Sequence, residues 1–507
     1  MNTQSRSLNS NRNLFYGLIS QSITLILQFV GRTVFIYYLG SEYLGVNGLY
    51  GNILNVLSLA ELGIDNVMLF SLYKPIDEND KTKIAALLDY YKRIYRKIAM
   101  AVLSLGLLLV PFLKLIVKSD LDYTHLVLYY LLFLLNSVVS YFVAYKSALI
   151  KADQNTFIIN NNTTVFNFIR QIVQIVFLVI TKNYTVYLVI QVFCTILSNY
   201  SISKKADRLY PFINVKIANK LSKVSGLSND IKNAFLYRFS NIIIGNTDNI
   251  LISVIVGTVY VGYYSNYSLF IFNISVFINM LVTSVLSSFG NLYASGDNDK
   301  MYKLFNVTTL FFQWLGTACS LCFFTVFDDF ITIWIGREYV LSKWTVFIIV
   351  LNFYNETIFD PLWLYRESMG LFKEIRFIRV CTAAINLVLS VILGKLFGIF
   401  GILFATFISK TITCTWYEPY TILKKLGHSV KKYWLLQLKY SILAVISFLI
   451  TILICEYIGH NFICIVIKII LSFCISSAVF LLFNLKDPSF KTLKIYASNI
   501  IANFKKK

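Results

Sequence analysis

The chain has 507 residues, of which 57% are hydrophobic and only 14% are charged. That composition excludes a soluble protein of this size, in which roughly a quarter of the residues are charged. The formal net charge of +21 would suit a nucleic-acid-binding protein, but its distribution along the chain indicates membrane topology, so no nucleic acid is expected as a partner.

Fourteen apolar segments follow one another along the chain, each near the ~20 residues needed to cross the hydrocarbon core. They predict an all-α polytopic membrane protein with about 14 transmembrane helices. In chain order the predicted spans are 14–39, 46–72, 98–117, 124–146, 161–181, 184–202, 233–256, 262–287, 304–327, 344–366, 376–394, 397–417, 436–457 and 462–483.

Basic residues concentrate on one side of these spans. With the N-terminus inside, 36 Lys and Arg fall in or beside inner loops and six in outer loops. Such an excess marks the cytoplasmic side, so both termini are predicted to be cytoplasmic. The first apolar segment is not followed by a small-residue cleavage site, and we expect no removable signal peptide.

The first half of the sequence recurs in the second half. Residues 38–54 align with residues 255–271 at an offset of 217, and after a shift of two or three residues 72–81 aligns with 292–300. The recurring residues are Gly40, Tyr43, Gly45 and Tyr50, which match Gly257, Tyr260, Gly262 and Tyr267. An insertion of six spans keeps orientation, so the repeat is parallel and predicts two six-helix lobes related by a pseudo-twofold axis.

The predicted organisation follows from this repeat. Residues 1–202 form the first lobe, 203–232 a basic cytoplasmic linker and 233–420 the second lobe. A cytoplasmic loop at 421–435 leads to an extra helical hairpin at 436–483 and a basic amphipathic tail at 484–507. That tail either lies on the anionic inner leaflet or is solvated.

Several sequence stretches resemble a known family. SEYLGVNGLYGNILNVLSLAELGI at 41–64 and YKPIDENDKTKI at 73–84 resemble bacterial polysaccharide repeat-unit flippases of the Wzx type. These belong to the multidrug/oligosaccharidyl-lipid/polysaccharide (MOP) exporter superfamily. Weaker agreement occurs at 246–253, 261–270 and 367–373, whereas Asp65 stands where a small residue is expected. The resemblance implies a bacterial cytoplasmic-membrane flippase of O-antigen or capsule biosynthesis.

That activity would move undecaprenyl-diphosphate-linked oligosaccharides from the inner to the outer leaflet. It implies membrane lipids and the lipid-linked oligosaccharide as partners, together with the polysaccharide polymerase and chain-length machinery. Two other classes stay open. One is a multidrug or small-molecule antiporter of the same superfamily, and the other is a membrane polymerase or glycosyltransferase. The enzyme class is disfavoured because the outer loops are short.

Three arginines inside predicted spans are candidate ligands for a lipid diphosphate: Arg32, Arg170 and Arg238. Ionisable groups at membrane depth are costly and commonly face a partner or a wet cavity. Arginine suits phosphate because its planar fork donates two parallel hydrogen bonds. The alternative is that these side chains form structural ion pairs.

Five acids inside spans are candidates for ion coupling or for salt bridges: Glu61, Asp65, Asp248, Glu356 and Asp360. Acids four residues apart share a helix face, and two acids on one buried face favour proton carrying. We expect no resident cofactor, with H⁺ or Na⁺ as a candidate coupling ion. Lys468 has no obvious partner in the sequence. Tyr267 and Tyr354 are candidates for stacking on sugar rings.

The topology is directly testable. Reporter fusions after Lys151 and Ser228 are expected to be cytoplasmic, and fusions near Asp120 and Asp329 external, because basic loops stay inside. Reporter activity in cells measures each position. A cytoplasmic reporter at Asp120 would contradict both the span number and the parallel repeat.

Overall fold

The computed structural model describes residues 3–58, 64–214 and 227–505 and is helical almost throughout. The chain divides into two compact units, Met1–Ser265 and Asn266–Lys507. The helices of the first unit are α1 Thr3–Leu57, α2 Ile64–Asp77, α3 Lys81–Leu109, α4 Leu113–Ile116, α5 Tyr123–Tyr141, α6 Ala144–Ala152, α7 Thr156–Thr181, α8 Tyr184–Leu209 and α9 Leu227–Ile255.

The second unit begins within α10, Thr258–Ala294. Its other helices are α11 Asn298–Trp334, α12 Lys343–Met369, α13 Phe372–Ile412, α14 Cys414–Leu426, α15 Val430–Cys455, α16 Phe462–Asn484 and α17 Pro488–Lys505. Helix α11 is the centre of this unit and packs against α12, α15, α16 and α17. Its buried face contacts a core that includes Phe305, Phe353 and Tyr365.

The predicted all-α polytopic membrane fold is confirmed. Helices occupy all fourteen predicted spans wherever the structure describes them, with 59–63 lying outside the described residues. Nine helical segments of the described chain are long and apolar enough to cross a membrane, and one of these, Lys373–Leu426, holds two predicted spans. Hydrocarbon offers no hydrogen bonds to a peptide group, which is why the chain satisfies them within helices.

Several predicted boundaries were wrong because helices continue beyond the apolar stretch. Helix α3 begins at Lys81, inside the stretch of 74–97 that the charge pattern assigned to a loop. Helix α8 likewise continues to Leu209, and α9 begins at Leu227. Charged residues are good helix formers, so a helix can leave the membrane without ending.

Backbone geometry supports the internal repeat. Positive φ occurs at Gly40, Asn79, Gln154 and Lys182 in the first half, each at a break between helices. It recurs at Gly257, Gly296, Gly370 and Gly398, at offsets of 217, 217, 216 and 216 residues. Positive φ is uncommon outside glycine. Its recurrence at non-glycine partners therefore indicates that the chain turns at equivalent places in both halves.

Helix caps correct the predicted alignment of the second repeat stretch. The Asp80 carboxylate accepts a hydrogen bond from the Lys83 backbone N–H at 2.9 Å and caps α3. The Asp297 carboxylate accepts one from the Lys300 N–H at 2.9 Å and caps α11. These equivalent residues are again 217 apart, so the predicted shift of two or three residues is wrong.

Two glycines that match in the repeat lie at one close helix crossing. A Cβ atom on Gly45 of α1 would lie 2.0 Å from the Thr258 carbonyl oxygen. A Cβ atom on Gly262 of α10 would lie 2.3 Å from the Ser41 carbonyl oxygen. Both nearest atoms are backbone atoms and cannot rotate away, so only glycine permits this approach.

Gly45→Ala is expected to destabilise the protein because the added methyl group collides with backbone at Thr258. Overpacking of this kind costs about 1–3 kcal/mol. Thermal unfolding of the purified protein measures the loss. The matched control is Gly51→Ala in the same helix, where a Cβ would meet nothing within 4 Å. Equal stability of the two variants would contradict the close crossing.

Candidate functional site

Arg32 lies on α1 within the first unit, and its Nη1 donates a hydrogen bond to Ser265 Oγ at 2.8 Å. The Ser265 hydroxyl in turn donates to the Gly262 carbonyl oxygen at 2.8 Å. A serine hydroxyl is neutral, and no carboxylate among the described side chains forms an ion pair with Arg32. The guanidinium therefore keeps its charge uncompensated in this part of the chain.

Arg170 lies on α7, which packs against both α1 and α8. No hydrogen bond or ion pair from its side chain is formed with the described residues. Its nearest electrostatic partners there are Tyr187 and Cys194, both on α8. Tyr187 also interacts electrostatically with Arg32, so the phenol places the two predicted arginines in one region of the unit.

Aromatic side chains support this region from the outer side. The Phe35 ring contacts Tyr184 and Tyr187 edge-on, with centroid distances of 5.7 and 5.2 Å. Tyr184 also contacts the rings of Tyr43 and Tyr129 at 5.3 and 4.7 Å. Edge-to-face pairs fix ring orientation, so α1, α5 and α8 are held together next to the arginines.

The other predicted charges of this unit are less defined. Glu61 lies outside the described residues. Asp65 and Arg238 lie in α2 and α9, but their side chains are outside the described part of the structure. Asp248 has an interaction partner. None of these four residues adds a contact to the region of Arg32 and Arg170.

The acid pair of α12 is split by its surroundings. Lys410 Nζ on α13 donates to Glu356 Oε1 at 2.5 Å, so Glu356 forms a salt bridge. Asp360, one turn further along α12, lies within electrostatic range of Glu356. No cation or hydrogen-bond donor among the described residues pairs with Asp360. It is therefore the better candidate of the two for binding and releasing a cation.

The two predicted sugar-stacking tyrosines are engaged with protein. Tyr267 is fully buried, and its hydroxyl accepts a hydrogen bond from the Leu341 backbone N–H at 3.0 Å. The Tyr354 hydroxyl donates to Gln313 Oε1 at 2.9 Å, and Gln313 is hydrogen-bonded to Gln437 of α15. Stacking of a sugar on Tyr267 would require a different conformation in which this ring is uncovered.

Lys468 has a partner that the sequence did not reveal. Its Nζ donates to Asp329 Oδ2 on α11 at 2.5 Å, and His460 Nδ1 lies 2.6 Å from Asp329 Oδ1. Lys468 is only 4% exposed. The expectation that it lacks a partner was wrong because the acid lies on another helix, 139 residues away.

Sequence reasoning also missed a buried ion cluster. Arg366 and Arg379 entered the charge count as inner-loop residues, but both contact Glu418 of α14. Arg366 Nη1 donates to Glu418 Oε2 at 3.0 Å, and Arg379 Nη2 lies 2.5 Å from Glu418 Oε1. Arg366 is 1% exposed. Removing one member of such a cluster leaves a buried charge, so its contribution is structural.

Comparisons with known proteins agree with this architecture. No family model and no curated protein matches the sequence. The solved structure of the lipid II flippase MurJ in an inward closed conformation matches with a TM-score of 0.66 at 16% identity. It covers 92% of this chain and 98% of MurJ.

Transporters of the multidrug class match as well. An inward-facing multidrug resistance MATE family transporter of the MOP superfamily gives a TM-score of 0.61 at 13% identity, covering 80% of this chain and 95% of that one. The chain has the MOP exporter fold. The MATE transporter VcmN of Vibrio cholerae gives 0.57 at 13% identity, with coverage of 84% and 99%. At these identities the likeness concerns the MOP fold and leaves the substrate to the site residues.

Proposed function

We propose that the protein is a flippase for undecaprenyl-diphosphate-linked oligosaccharide repeat units. It moves them from the inner to the outer leaflet of the bacterial cytoplasmic membrane by alternating access, for cell-surface polysaccharide biosynthesis. The observation that carries the proposal is the pair Arg32 and Arg170. Both lie in apolar helices of one unit, and neither is neutralised by a carboxylate of the described residues.

The chemistry of a lipid diphosphate fits this pair. Its headgroup carries about two negative charges and cannot cross ~30 Å of hydrocarbon unaided. Guanidinium groups match phosphate oxygens bidentately, and such charge-assisted hydrogen bonds are about twice as strong as neutral ones. An uncompensated arginine pair therefore replaces part of the hydration that the headgroup loses.

The fold alone leaves a drug exporter open, since MurJ and MATE transporters share it. The charge of the site favours an anion. Two guanidinium groups without acidic partners would repel a cationic drug, whereas they attract a diphosphate. The short outer Asp120–Asp122 turn, which could have suggested an enzyme, has a structural role because the Asp122 carboxylate caps α5 through the Thr124 N–H.

The membrane potential supplies part of the drive. Moving a negative charge outward across an inside-negative membrane releases about 2.3 kcal/mol per 100 mV. The arginines stay with the protein and return without substrate. Asp360 adds a second source of drive, because an acid without a partner exchanges H⁺ or Na⁺ more readily than one held in a salt bridge. The flipped repeat unit then passes to the polymerase and chain-length machinery.

Arg32→Ala is expected to abolish flipping in cells whose own copy of the protein is deleted. Finished lipid-linked repeat units should accumulate facing the cytoplasm, and surface polymer should fall sharply. Arg32→Lys should be partly active because it keeps the charge but loses the bidentate fork. Extraction of lipid-linked oligosaccharides and accessibility to an external glycosidase measure both effects.

Protein abundance in the membrane is the control for each Arg32 variant. Repeat units that reach the outer face as single units after deletion would favour a polymerase instead. Unchanged polymer with raised drug sensitivity would favour a drug exporter. Normal flux through Arg32→Ala would contradict the anion site.

Asp360→Asn is expected to slow cycling at least tenfold at normal protein abundance, because the amide cannot bind and release a proton. The matched control is Asp299→Asn, an exposed acid of the same unit whose side chain is 86% exposed. Transport into vesicles with an imposed ion gradient measures the rate. Wild-type rates in Asp360→Asn, and likewise in Asp65→Asn and Asp248→Asn, would leave the membrane potential as the drive.

A further inference from the structure

Tyr187 on α8 interacts electrostatically with both Arg32 and Arg170. Its ring is half-buried, and no described residue forms a hydrogen bond with its hydroxyl group. We infer that this hydroxyl donates a hydrogen bond to a diphosphate oxygen and makes Tyr187 a third ligand of the lipid headgroup. The inference rests on the proposed function and adds a residue that neither the charge pattern nor the family resemblance singles out.

The position of Tyr187 is fixed before any ligand binds. Its ring packs edge-on against Phe35 at 5.2 Å and lies nearly parallel to Tyr184 at 6.1 Å. Its backbone carbonyl oxygen accepts a hydrogen bond from Gln174 Nε2 on α7 at 3.0 Å. Gln174 is 4% exposed. A hydroxyl held in this way loses little conformational freedom on binding, which increases affinity.

The neighbouring tyrosines show why Tyr187 differs from a packing residue. Tyr184 is 2% exposed, and its hydroxyl donates to Asn47 Oδ1 at 3.2 Å, so its hydrogen-bonding capacity is used within the protein. Tyr129 is also buried in the same aromatic cluster. Tyr187 alone in this group combines an accessible edge, a hydroxyl without a partner among the described residues, and proximity to both arginines.

A phenol suits this position chemically. A diphosphate presents several non-bridging oxygens, more than the two guanidinium groups saturate in most geometries. The phenol donates a hydrogen bond without adding positive charge, since its O–H is neutral at physiological pH. It therefore adds directionality to the site while keeping the total charge low enough for release of the headgroup at the outer face.

The test is the affinity of the purified full-length protein in lipid nanodiscs for undecaprenyl diphosphate that carries no sugar. Tyr187→Phe keeps the ring and removes only the donor. Its affinity is expected to fall about tenfold, the usual effect of one hydrogen bond to a charged group. The matched control is Tyr200→Phe on the same helix, where the side chain is 64% exposed and the affinity should not change.

Undecaprenol, which lacks phosphate, separates binding from packing. A structural role of Tyr187 would alter the binding of both lipids and the thermal unfolding midpoint, whereas the proposed role alters only the binding of the diphosphate. Affinity of Tyr187→Phe within twofold of wild type would overturn the inference. So would a loss confined to sugar-bearing lipids, because the hydroxyl would then contact the sugar.

Arg32→Ala distinguishes this failure from failure of the flippase proposal. If Arg32→Ala loses diphosphate binding while Tyr187→Phe retains it, the arginine site stands and only the third ligand is wrong. If wild type and Arg32→Ala bind undecaprenyl diphosphate and undecaprenol equally weakly, the proposed function fails and the inference with it.

Discussion

Hydrocarbon offers neither hydrogen bonds nor counter-ions, and both the backbone and the charges of this protein obey that constraint. The backbone is helical wherever it must cross, and breaks are confined to a few turn positions such as Gly40 and Gly398. Every ionisable side chain in the spans must then find a partner inside the protein or contact water or a ligand.

The described charges separate into two groups by this criterion. Lys468 with Asp329, and Arg366 with Glu418, are closed pairs with distances of 2.5 and 3.0 Å, and they hold helices of the second unit together. Arg32 instead contacts only a serine hydroxyl among the described side chains. Breaking a closed pair costs stability, whereas an open charge destabilises the protein until a ligand arrives. Open charges are therefore the better guide to function.

The sequence was sufficient for the fold because long apolar segments, basic loops and a repeat are local or periodic signals. It also singled out Arg32 and Arg170, since charge within an apolar segment is visible without a structure. It could not reveal that Asp329 neutralises Lys468, because partners on different helices are unrelated in sequence. Tyr187 was missed for another reason. The chain has 34 tyrosines, and only the contacts around this one distinguish it.

The matching turns of the two halves allow residue-by-residue comparison at the measured offsets. Asn249 stands 217 residues after Arg32, and Asn386 stands 216 residues after Arg170. Two identical subunits in a symmetric dimer would have to carry the same residue at both places. Fusion of the copies into one gene removes that restriction, so one copy can accumulate cations while the other stays neutral. The evolutionary gain from duplication here is asymmetry: a polar substrate path with an attracting side and an indifferent side.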